Sequence, residues 1–333
     1  MTRASSVLSV RKLRTEFRSG TSNWYSVVHD LDLELMAGET LAVVGESGCG
    51  KSMLAYSIMR LVPQPAGRIG GGQVWLAGRE LLGLPEREMR AIRGRDLSMI
   101  FQEPMTSLNP LMTVGRQVVE SIVEHERCSP AQAVRRAVEL LELVGIPEAG
   151  KRYEQYPHHL SGGMRQRVMI AIALACKPKV LVADEPTTAL DVTIQAQVLA
   201  LIDRLKRELG MGVILITHDL GVVAEWAQRV MVMYAGRKVE EADVESFFRA
   251  PIHPYSRALM ASVPRPELAA SGQSHELAEI PGTVPPLDKM GPGCAFATRC
   301  EYTREACRTA EPALRPLGSG RVVACVRAED FAP

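Results

Sequence analysis

The chain has 333 residues, of which 46% are hydrophobic, and its 39 basic and 38 acidic residues leave a net charge of +1. This length predicts about two domains, and the composition excludes a disordered, collagen-like or low-complexity chain. The near-zero charge disfavours a broad nucleic-acid-binding surface. No stretch reaches the roughly 20 apolar residues that cross a bilayer, and no secretory signal is visible at the start. We therefore expect a cytosolic chain, unless another subunit holds it at a membrane.

Three short apolar runs predict buried strands of a parallel sheet covered by helices. They are Leu41–Val44, Val180–Ala183 and Val213–Thr217. Runs that are apolar on both faces are typical of central parallel strands. Each run is followed by polar or glycine-rich residues, and open α/β sheets bind ligands at the carboxyl ends of their strands. The sequence therefore predicts an α/β fold with its chemistry just after these runs.

The residues after the first run match the phosphate-binding pattern G-x-x-x-x-G-K-[ST]. They are Gly45, Glu46, Ser47, Gly48, Cys49, Gly50, Lys51 and Ser52. Glycines let backbone N–H groups surround phosphate oxygens, and a helix predicted over Ser52–Leu61 adds the positive end of its dipole. We expect Lys51 to contact the β- and γ-phosphates and Ser52 to bind Mg²⁺. The flanking strand and helix disfavour the alternative of a glycine-rich turn without function.

The second run ends in two carboxylates, Asp184 and Glu185. A P-loop protein needs an acid on the neighbouring strand to hold Mg²⁺, and Asp184 is the candidate. Glu185 would lie beyond the γ-phosphate, where a carboxylate can act as general base on the attacking water. The alternative, two acids that only solvate a strand end, is disfavoured by the P-loop upstream.

Helical patterns interrupt the strands between the P-loop and the second run. Ser129 and Pro130 predict the start of a helix over Ala131–Val144. Further along, Ser161 is a good N-cap, and Gly162 and Gly163 would expose backbone N–H groups at the start of a helix. This second helix start predicts a second anion site.

The segment around Ser161 resembles the LSGGQ signature of ABC ATPases, with Met164 in place of the usual glutamine. Three more residues agree with this resemblance in family order: Gln102 resembles the Q-loop glutamine, Asp191 closes a D-loop-like segment, and His218 resembles the switch histidine. The resemblance spans about residues 5–250.

The resemblance implies ATP and Mg²⁺ as ligands and assigns a role to each matching residue. Gln102 would sense Mg²⁺ and the attacking water, and His218 would contact the γ-phosphate. Ser161, Gly162, Gly163 and Asp191 would complete the ATP site of a second chain in a head-to-tail dimer. An aromatic ring near the first strand would stack on adenine. Phe17 is the candidate for that ring, and Trp24 and Tyr25 are alternatives.

Longer stretches resemble the ATP-binding subunits of dipeptide and oligopeptide importers. They are Phe101–Gln117, Tyr156–Leu174 and His253–Leu259. This resemblance implies a heterodimer with a second ATP-binding subunit, two permease subunits, an extracytoplasmic solute-binding protein and no nucleic acid. The chain would lie as a peripheral subunit on the cytoplasmic face of the inner membrane. Peptide is the expected substrate, and nickel or an oligosaccharide stays open.

Two other functions are weaker interpretations of the same motifs. A soluble ABC ATPase that acts on nucleic acid or the ribosome usually has two nucleotide domains or a long coiled coil. This chain has one motif set, no sustained heptads and a neutral charge. A non-catalytic partner with a degenerate site is disfavoured because Gln102, Glu185 and His218 are all present.

The last part of the chain differs in composition and predicts a separate extension. Residues 251–333 hold 11 of the 21 prolines and four of the seven cysteines. We predict an ABC nucleotide-binding domain over 1–250, with a helical subdomain over about 103–178, and an irregular extension over 251–333. The clustered cysteines are Cys294, Cys300, Cys307 and Cys325. Such thiolates suit a 4Fe–4S cluster or a structural zinc, and the resemblance implies the 4Fe–4S cluster. Zinc and unligated thiols stay open.

Overall fold

The computed structural model describes seven segments of the chain: residues 6–19, 23–102, 107–187, 191–263, 279–286, 289–318 and 320–332. The described strands are β1 Ser6–Ser19, β2 Asn23–Met36, β3 Thr40–Val44, β4 Gly67–Leu76, β5 Arg79–Glu80, β6 Leu97–Ile100, β7 Val180–Asp184, β8 Gly212–Ile216, β9 Arg229–Tyr234, β10 Arg237–Asp243, β11 Arg315–Pro316 and β12 Val322–Val323.

The helices of the described segments are interspersed among these strands. They are α1 Lys51–Ile58, α2 Glu86–Ile92, α3 Val114–His125, α4 Pro130–Leu143, α5 Ala149–Arg152, α6 Gly162–Leu174, α7 Val192–Leu209, α8 Leu220–Trp226, α9 Val244–Arg249, α10 Pro254–Ala261, α11 Ala306–Thr309 and α12 Ala328–Phe331, with a 3-10 turn at Pro157–His159. None of the described helices is both long enough and apolar enough to span a bilayer.

The chain divides into two compact units that do not follow chain order. Unit 1 comprises Met1–Ser9, Leu33–Thr40 and Gln73–Ile216, and unit 2 comprises Val10–Asp32, Leu41–Gly72 and Thr217–Pro333. The long strands β1, β2 and β4 contribute residues to both units and form a four-stranded sheet of order β2-β1-β4-β5.

Unit 1 contains a parallel sheet of order β8-β7-β6 together with helices α2 to α7. Leu97 of β6 pairs with Val180 of β7, which pairs in turn with Gly212 of β8. All residues of these three strands are buried. The predicted strands at 180 and 213 are therefore confirmed within one residue at each end.

The predicted helix in the middle of unit 1 is also confirmed, and its cap explains where it begins. Ser129 Oγ accepts a hydrogen bond from the Gln132 N–H, and the Gln132 side chain accepts from the Ser129 N–H. This reciprocal capping box satisfies two of the N–H groups that a helix start leaves unpaired. The helix α4 then buries Ala133, Ala137 and Leu141, which are four residues apart and share one face.

Unit 2 contains β3 and the antiparallel strands that follow it, in the order β11-β12-β10-β9-β3. The first predicted strand is confirmed here, since β3 is fully buried and pairs in parallel with β9. The hydrophobic core of unit 2 contains residues of β3, β9 and β10. It also contains residues of the C-terminal segment, including Tyr255 and Phe296. Both helices that flank residue 250, α9 and α10, lie in this unit. The predicted domain division at residue 250 stays a prediction.

Candidate functional site

The P-loop follows β3 and takes a backbone path that only glycine tolerates at two of its positions. Gly45 has φ +153° and Gly50 has φ +101°, both in a region that L side chains rarely adopt. A Cβ on Gly45 would lie 2.2 Å from the Met233 carbonyl oxygen, and one on Gly50 would lie 2.5 Å from the Val27 carbonyl oxygen. The two glycines let the loop turn tightly against neighbouring backbone, as phosphate binding requires.

Lys51 folds back into this loop. Its Nζ donates hydrogen bonds to the Gly45 oxygen at 2.7 Å and to the Glu46 oxygen at 3.0 Å, and the residue is 6% exposed. Ser47 and Gly48 lie on the open side of the loop, whereas Cys49 is buried, and burial raises the pKa of its thiol. The predicted loop residues therefore surround one ammonium group.

The helix α1 begins at Lys51 without a side-chain cap. Its N-cap is Gly50, which has no side chain to accept a hydrogen bond. Among the described helices of eight or more residues, each of the others is capped by a serine, threonine, aspartate or histidine side chain. The start of α1, with Ser52 as its second residue, therefore presents backbone N–H groups that suit a phosphate.

In unit 1, Gln102 and Glu185 are brought together although 83 positions separate them. Gln102 Nε2 donates to Glu185 Oε2 at 2.9 Å. Glu185 has φ +46°, an uncommon conformation for a residue with a side chain, and its N–H donates to the Ile216 oxygen at 3.0 Å. Asp184 directly precedes it at the end of β7 and is 1% exposed. A buried and an accessible carboxylate thus follow one another, as metal ligand and general base would require.

The second predicted helix start is confirmed in unit 1. Ser161 Oγ accepts from the Met164 N–H at 3.3 Å and caps α6, and Ser161 and Gly162 are exposed. Asp191 caps α7 by accepting from the Ile194 N–H at 2.9 Å. The Ile194 side chain lies 3.0 Å from the position a Cβ would take on Gly163. The signature and the last residue of the D-loop-like segment therefore lie at the starts of two helices in contact. Thr188–Leu190 lie outside the described residues.

His218 follows β8 and lies beside the P-loop within unit 2. It lines a pocket together with Gly45 and Glu46, and its ring is exposed. The next residue, Asp219, accepts from the Gly221 and Val222 N–H groups and caps α8. This cap fixes the turn that carries His218, the predicted switch histidine.

The three aromatic candidates for adenine stacking lie in β1 and β2. The Phe17 ring packs against Gly67, where a Cβ would lie 2.8 Å from the ring carbon Cζ. The guanidinium of Arg68 covers the Trp24 ring at 4.0 Å from its centroid. Tyr25 is half-buried, and its hydroxyl oxygen accepts from Asn23 at 3.4 Å. All three rings have a role in packing or bonding, so stacking on adenine stays a prediction.

The four clustered cysteines, here called the cysteine centre, are Cys294, Cys300, Cys307 and Cys325. They line one pocket in unit 2 together with apolar residues such as Phe296 and Val326, and none forms a disulfide. The Cys294 N–H donates to the Cys307 oxygen at 2.8 Å. Burial raises the pKa of the Cys294 thiol to about 11, so a metal would have to displace protons from these thiols.

Within the described residues, no group of three or more His, Cys, Asp or Glu side chains is arranged to hold a metal ion. Backbone N–H groups also donate to sulfur, from Arg304 to Cys307 at 3.5 Å and from Arg327 to Cys325 at 3.4 Å. The prediction of a 4Fe–4S cluster is therefore not confirmed.

Comparison with known proteins explains the motifs. Residues 28–188 match the family model described as ABC transporter, and residues 239–307 match the one described as Oligopeptide/dipeptide transporter, C-terminal region. The oligopeptide transport ATP-binding protein OppD of Salmonella typhimurium is 48% identical over 324 residues, covering 97% of this chain and 94% of its own. This chain belongs to the ATP-binding subunits of oligopeptide and dipeptide ABC transporters.

Further relatives agree with this membership in the ABC ATPases. The protein of Sinorhizobium fredii named "Probable peptide ABC transporter ATP-binding protein y4tR" is 51% identical over 98% of this chain and 97% of its own. A solved ATP-binding cassette, a dimer in a post-hydrolysis state with ADP and Pi, is 28% identical with a TM-score of 0.63. It covers 71% of this chain and 98% of its own. The α/β fold of the cassette is therefore confirmed.

Two residues that hold the P-loop of this ABC ATPase escaped the sequence analysis. The Glu46 N–H donates to the Tyr255 hydroxyl oxygen at 2.7 Å, and Arg299 donates to both Glu46 carboxylate oxygens. Tyr255 belongs to the stretch His253–Leu259, which carries the family resemblance. That resemblance singled out the stretch but assigned no contact to Tyr255. Arg299 gave no signal, because an arginine in an irregular segment predicts nothing by itself.

The histidine of the same stretch sets the start of α10. His253 Nδ1 accepts from the Tyr255 N–H at 3.1 Å. The residue is 1% exposed, and burial lowers the pKa of its imidazole to about 3. The ring is therefore neutral at physiological pH, and its Nδ1 lone pair is available as the cap. This cap holds Tyr255 at the position from which it reaches Glu46.

Proposed function

We propose that this chain is the ATP-hydrolysing subunit that drives import of dipeptides or oligopeptides through partner permeases. The observation that carries the proposal is the uncapped start of α1, with Lys51 folded into a glycine-rich loop. The names of its relatives support peptide as the transported class.

Hydrolysis would proceed by in-line attack of water on the γ-phosphate. The loop N–H groups and Lys51 bind the phosphates and neutralise the charge that develops on them. Glu185 orients and deprotonates the attacking water, and Gln102, bonded to it at 2.9 Å, holds that carboxylate in place. His218 contacts the γ-phosphate from the turn after β8. Phe17 stacks on the adenine.

Magnesium would be held by oxygen ligands from Ser52, Gln102 and Asp184, which are of the kind that Mg²⁺ prefers. When bound, the ion neutralises phosphate charge and favours departure of ADP. Asp184, 1% exposed at the end of a buried strand, has the fixed position that a metal ligand needs.

Assembly follows from the second anion site. Ser161, Gly162, Gly163 and Asp191 would contact the nucleotide of a partner ATP-binding subunit in a head-to-tail heterodimer. Two permeases and an extracytoplasmic solute-binding protein would complete the transporter, with this chain peripheral on the cytoplasmic face of the membrane. The solved cassette is a dimer, which supports the pairing of this chain with a second ATP-binding subunit.

The test is peptide uptake by cells that carry a Lys51→Ala variant. Lys51→Ala removes the positive charge that would contact the phosphates. Uptake of labelled peptide should therefore fall to the level of a deletion strain. The matched control is Lys151→Ala, because Lys151 is exposed and forms an ion pair with Glu148, the residue before α5. Normal uptake with Lys51→Ala, at equal protein level, would refute the motor role.

We also propose that the cysteine centre holds a 4Fe–4S cluster through Cys294, Cys300, Cys307 and Cys325. A loop-rich segment with short helices gains stability from such a metal staple. Anaerobically purified protein should contain iron and sulfide in equal amounts. The same analysis of a Cys300→Ala variant should show a marked loss of both. Zinc without iron in the native chain would exclude the cluster.

A further inference from the structure

Residues of the C-terminal segment hold the P-loop at Glu46, through both its side chain and its backbone N–H. Arg299 Nη1 donates to Glu46 Oε2 at 2.8 Å, and Nη2 donates to Oε1 at 3.0 Å. The Glu46 N–H donates to the Tyr255 hydroxyl oxygen at 2.7 Å. A bidentate arginine–carboxylate pair fixes orientation as well as distance. Glu46 directly follows Gly45, so these bonds set the path by which the chain enters the phosphate loop.

Arg299 is itself fixed on all sides. Its side chain is 5% exposed. Nε donates to the Pro281 oxygen at 2.8 Å, Nη2 donates to the Ile280 and Gly282 oxygens at 3.2 Å each, and Nη1 donates to the Tyr234 hydroxyl at 3.3 Å. Because a guanidinium is planar and rigid, these bonds leave it one orientation. The Arg299–Glu46 pair is therefore a structural joint, unlike a mobile ion pair on the surface.

The backbone of Arg299 belongs to the turn that joins two members of the cysteine centre. The Ala297 N–H donates to the Cys294 oxygen at 2.9 Å, and the Arg299 N–H donates to the Phe296 oxygen at 3.0 Å. Arg299 directly precedes Cys300. Because Arg299 lies in this turn, a change in the spacing of Cys294 and Cys300 would displace its backbone and strain the bonds of its guanidinium.

We propose that Arg299 is a positioning residue for the P-loop and that it couples nucleotide binding to the state of the cysteine centre. The inference rests on the proposed function, because it assigns a regulator to the same nucleotide site. Coupling between two sites is reciprocal. An ordered cysteine centre strengthens nucleotide binding, and bound nucleotide protects the cysteines.

The first test measures the dissociation constant of Mg–ATP for the full-length chain and its variants. Arg299→Gln and Glu46→Gln should each weaken binding about tenfold, and the double variant should be no weaker than either single one, since both remove the same joint. Arg304→Gln is the matched control, because Arg304 lies in the same segment and its side chain is 63% exposed. Its dissociation constant should equal that of the wild type.

A thermal unfolding curve separates positioning from misfolding. Arg299→Gln leaves several carbonyl groups without their donor, so it can destabilise unit 2. Glu46→Gln keeps the bonds of Arg299 to those carbonyl groups. It removes the charge opposite Arg299 and replaces one acceptor oxygen of the bidentate pair with an NH2 donor. Wild-type affinity in Glu46→Gln and in folded Arg299→Gln would overturn the proposal.

The second test measures how bound nucleotide affects the reactivity of the cysteine centre. The chain is treated with N-ethylmaleimide and a chelator, and mass spectrometry follows modification of the four cysteines. A non-hydrolysable ATP analogue should slow modification of the wild-type chain and leave the rate in Arg299→Gln unchanged. Equal rates with and without nucleotide in the wild-type chain would overturn the coupling.

These outcomes are distinct from failure of the proposed function. If the wild-type chain binds Mg–ATP and Lys51→Ala does not, the nucleotide site stands whatever the Arg299 variants do. If the wild-type chain binds no nucleotide, the proposed function fails and the inference fails with it.

Discussion

At the scale of single residues, the most informative position is Glu185. Its φ of +46° is uncommon for a residue with a side chain, and it is held by one bond to the Ile216 oxygen and one from Gln102. Conformations of this kind cost of order 1–3 kcal/mol and persist where the surroundings enforce them. The backbone therefore leaves the extended conformation immediately after Asp184, the last residue of β7. The two bonds and the strained turn together support a positioned general base.

Replacement of Glu185 by glutamine should separate binding from hydrolysis. The amide keeps the shape of the side chain but cannot accept a proton, so turnover should fall by at least about 100-fold. The dissociation constant for ATP should stay near that of the wild type. Phosphate release and nucleotide retention on the assembled complex measure the two effects.

The control for this substitution is Glu225→Gln, which replaces an exposed carboxylate on α8 with a carboxamide. It changes the net charge by the same amount and should leave turnover unchanged. Wild-type ATP turnover in Glu185→Gln would show that another group acts as the general base.

At the scale of secondary-structure elements, the helix starts divide into two kinds. Ser129 and Ser161 close the starts of α4 and α6 with their hydroxyl groups, whereas α1 begins at a glycine with no side-chain cap. A capped start satisfies its own N–H groups, and an uncapped start offers them to a ligand. Ser161 combines a cap with the exposed Gly162 directly after it. The start of α6 is therefore both capped and accessible.

The two capped starts provide a matched pair of variants. Ser129→Arg and Ser161→Arg each remove one cap and add one positive charge, and each should cost about 1 kcal/mol of stability. Only Ser161→Arg should abolish ATP hydrolysis by the assembled complex, because a long side chain blocks the surface proposed to meet the partner's nucleotide.

Binding of ATP to the isolated chain should be the same in both Ser129→Arg and Ser161→Arg. Equal ATPase activity of the two assembled complexes would contradict the role proposed for α6.

At the scale of the whole molecule, the C-terminal extension contributes to the core of the unit that carries the P-loop. Tyr255 and Phe296 are buried in one cluster with Val44 of β3 and Tyr234 of β9. The rings of Tyr234 and Phe296 meet edge to face with centroids 5.2 Å apart. Unit 2 thus depends on residues far apart in the chain for its packing.

Truncation after Ala250 should therefore destabilise the nucleotide site and not only remove an appendage. Loss of buried aromatic side chains such as Tyr255 and Phe296 costs about 3–5 kcal/mol each in folded cores. The fragment should unfold at a markedly lower temperature than the full chain and bind Mg–ATP more weakly. A fragment that unfolds cooperatively at the temperature of the full chain would show that the extension is an independent domain.

The strands β1 and β2 show where sequence reasoning stopped short. The alternation of buried Leu31, Leu33 and Leu35 with exposed Asp32 and Glu34 is a period-two pattern typical of a half-buried strand. Runs that are apolar on both faces predict only β3, β7 and β8. The alternation of apolar and polar residues is the signal in the sequence that predicts β2.

The amino-acid sequence by itself determined the features that depend on neighbours in the chain. The P-loop, the caps at Ser129 and Ser161 and the positions of the buried strands β3, β7 and β8 can be predicted from a few adjacent residues, because helix caps form between near neighbours and a buried strand has a continuous apolar run. Only the tertiary structure decided which distant groups meet. Gln102 reaches Glu185 across 83 positions, and Arg299 reaches Glu46 across 253. Such pairs depend on the path of the whole backbone, which no local pattern encodes.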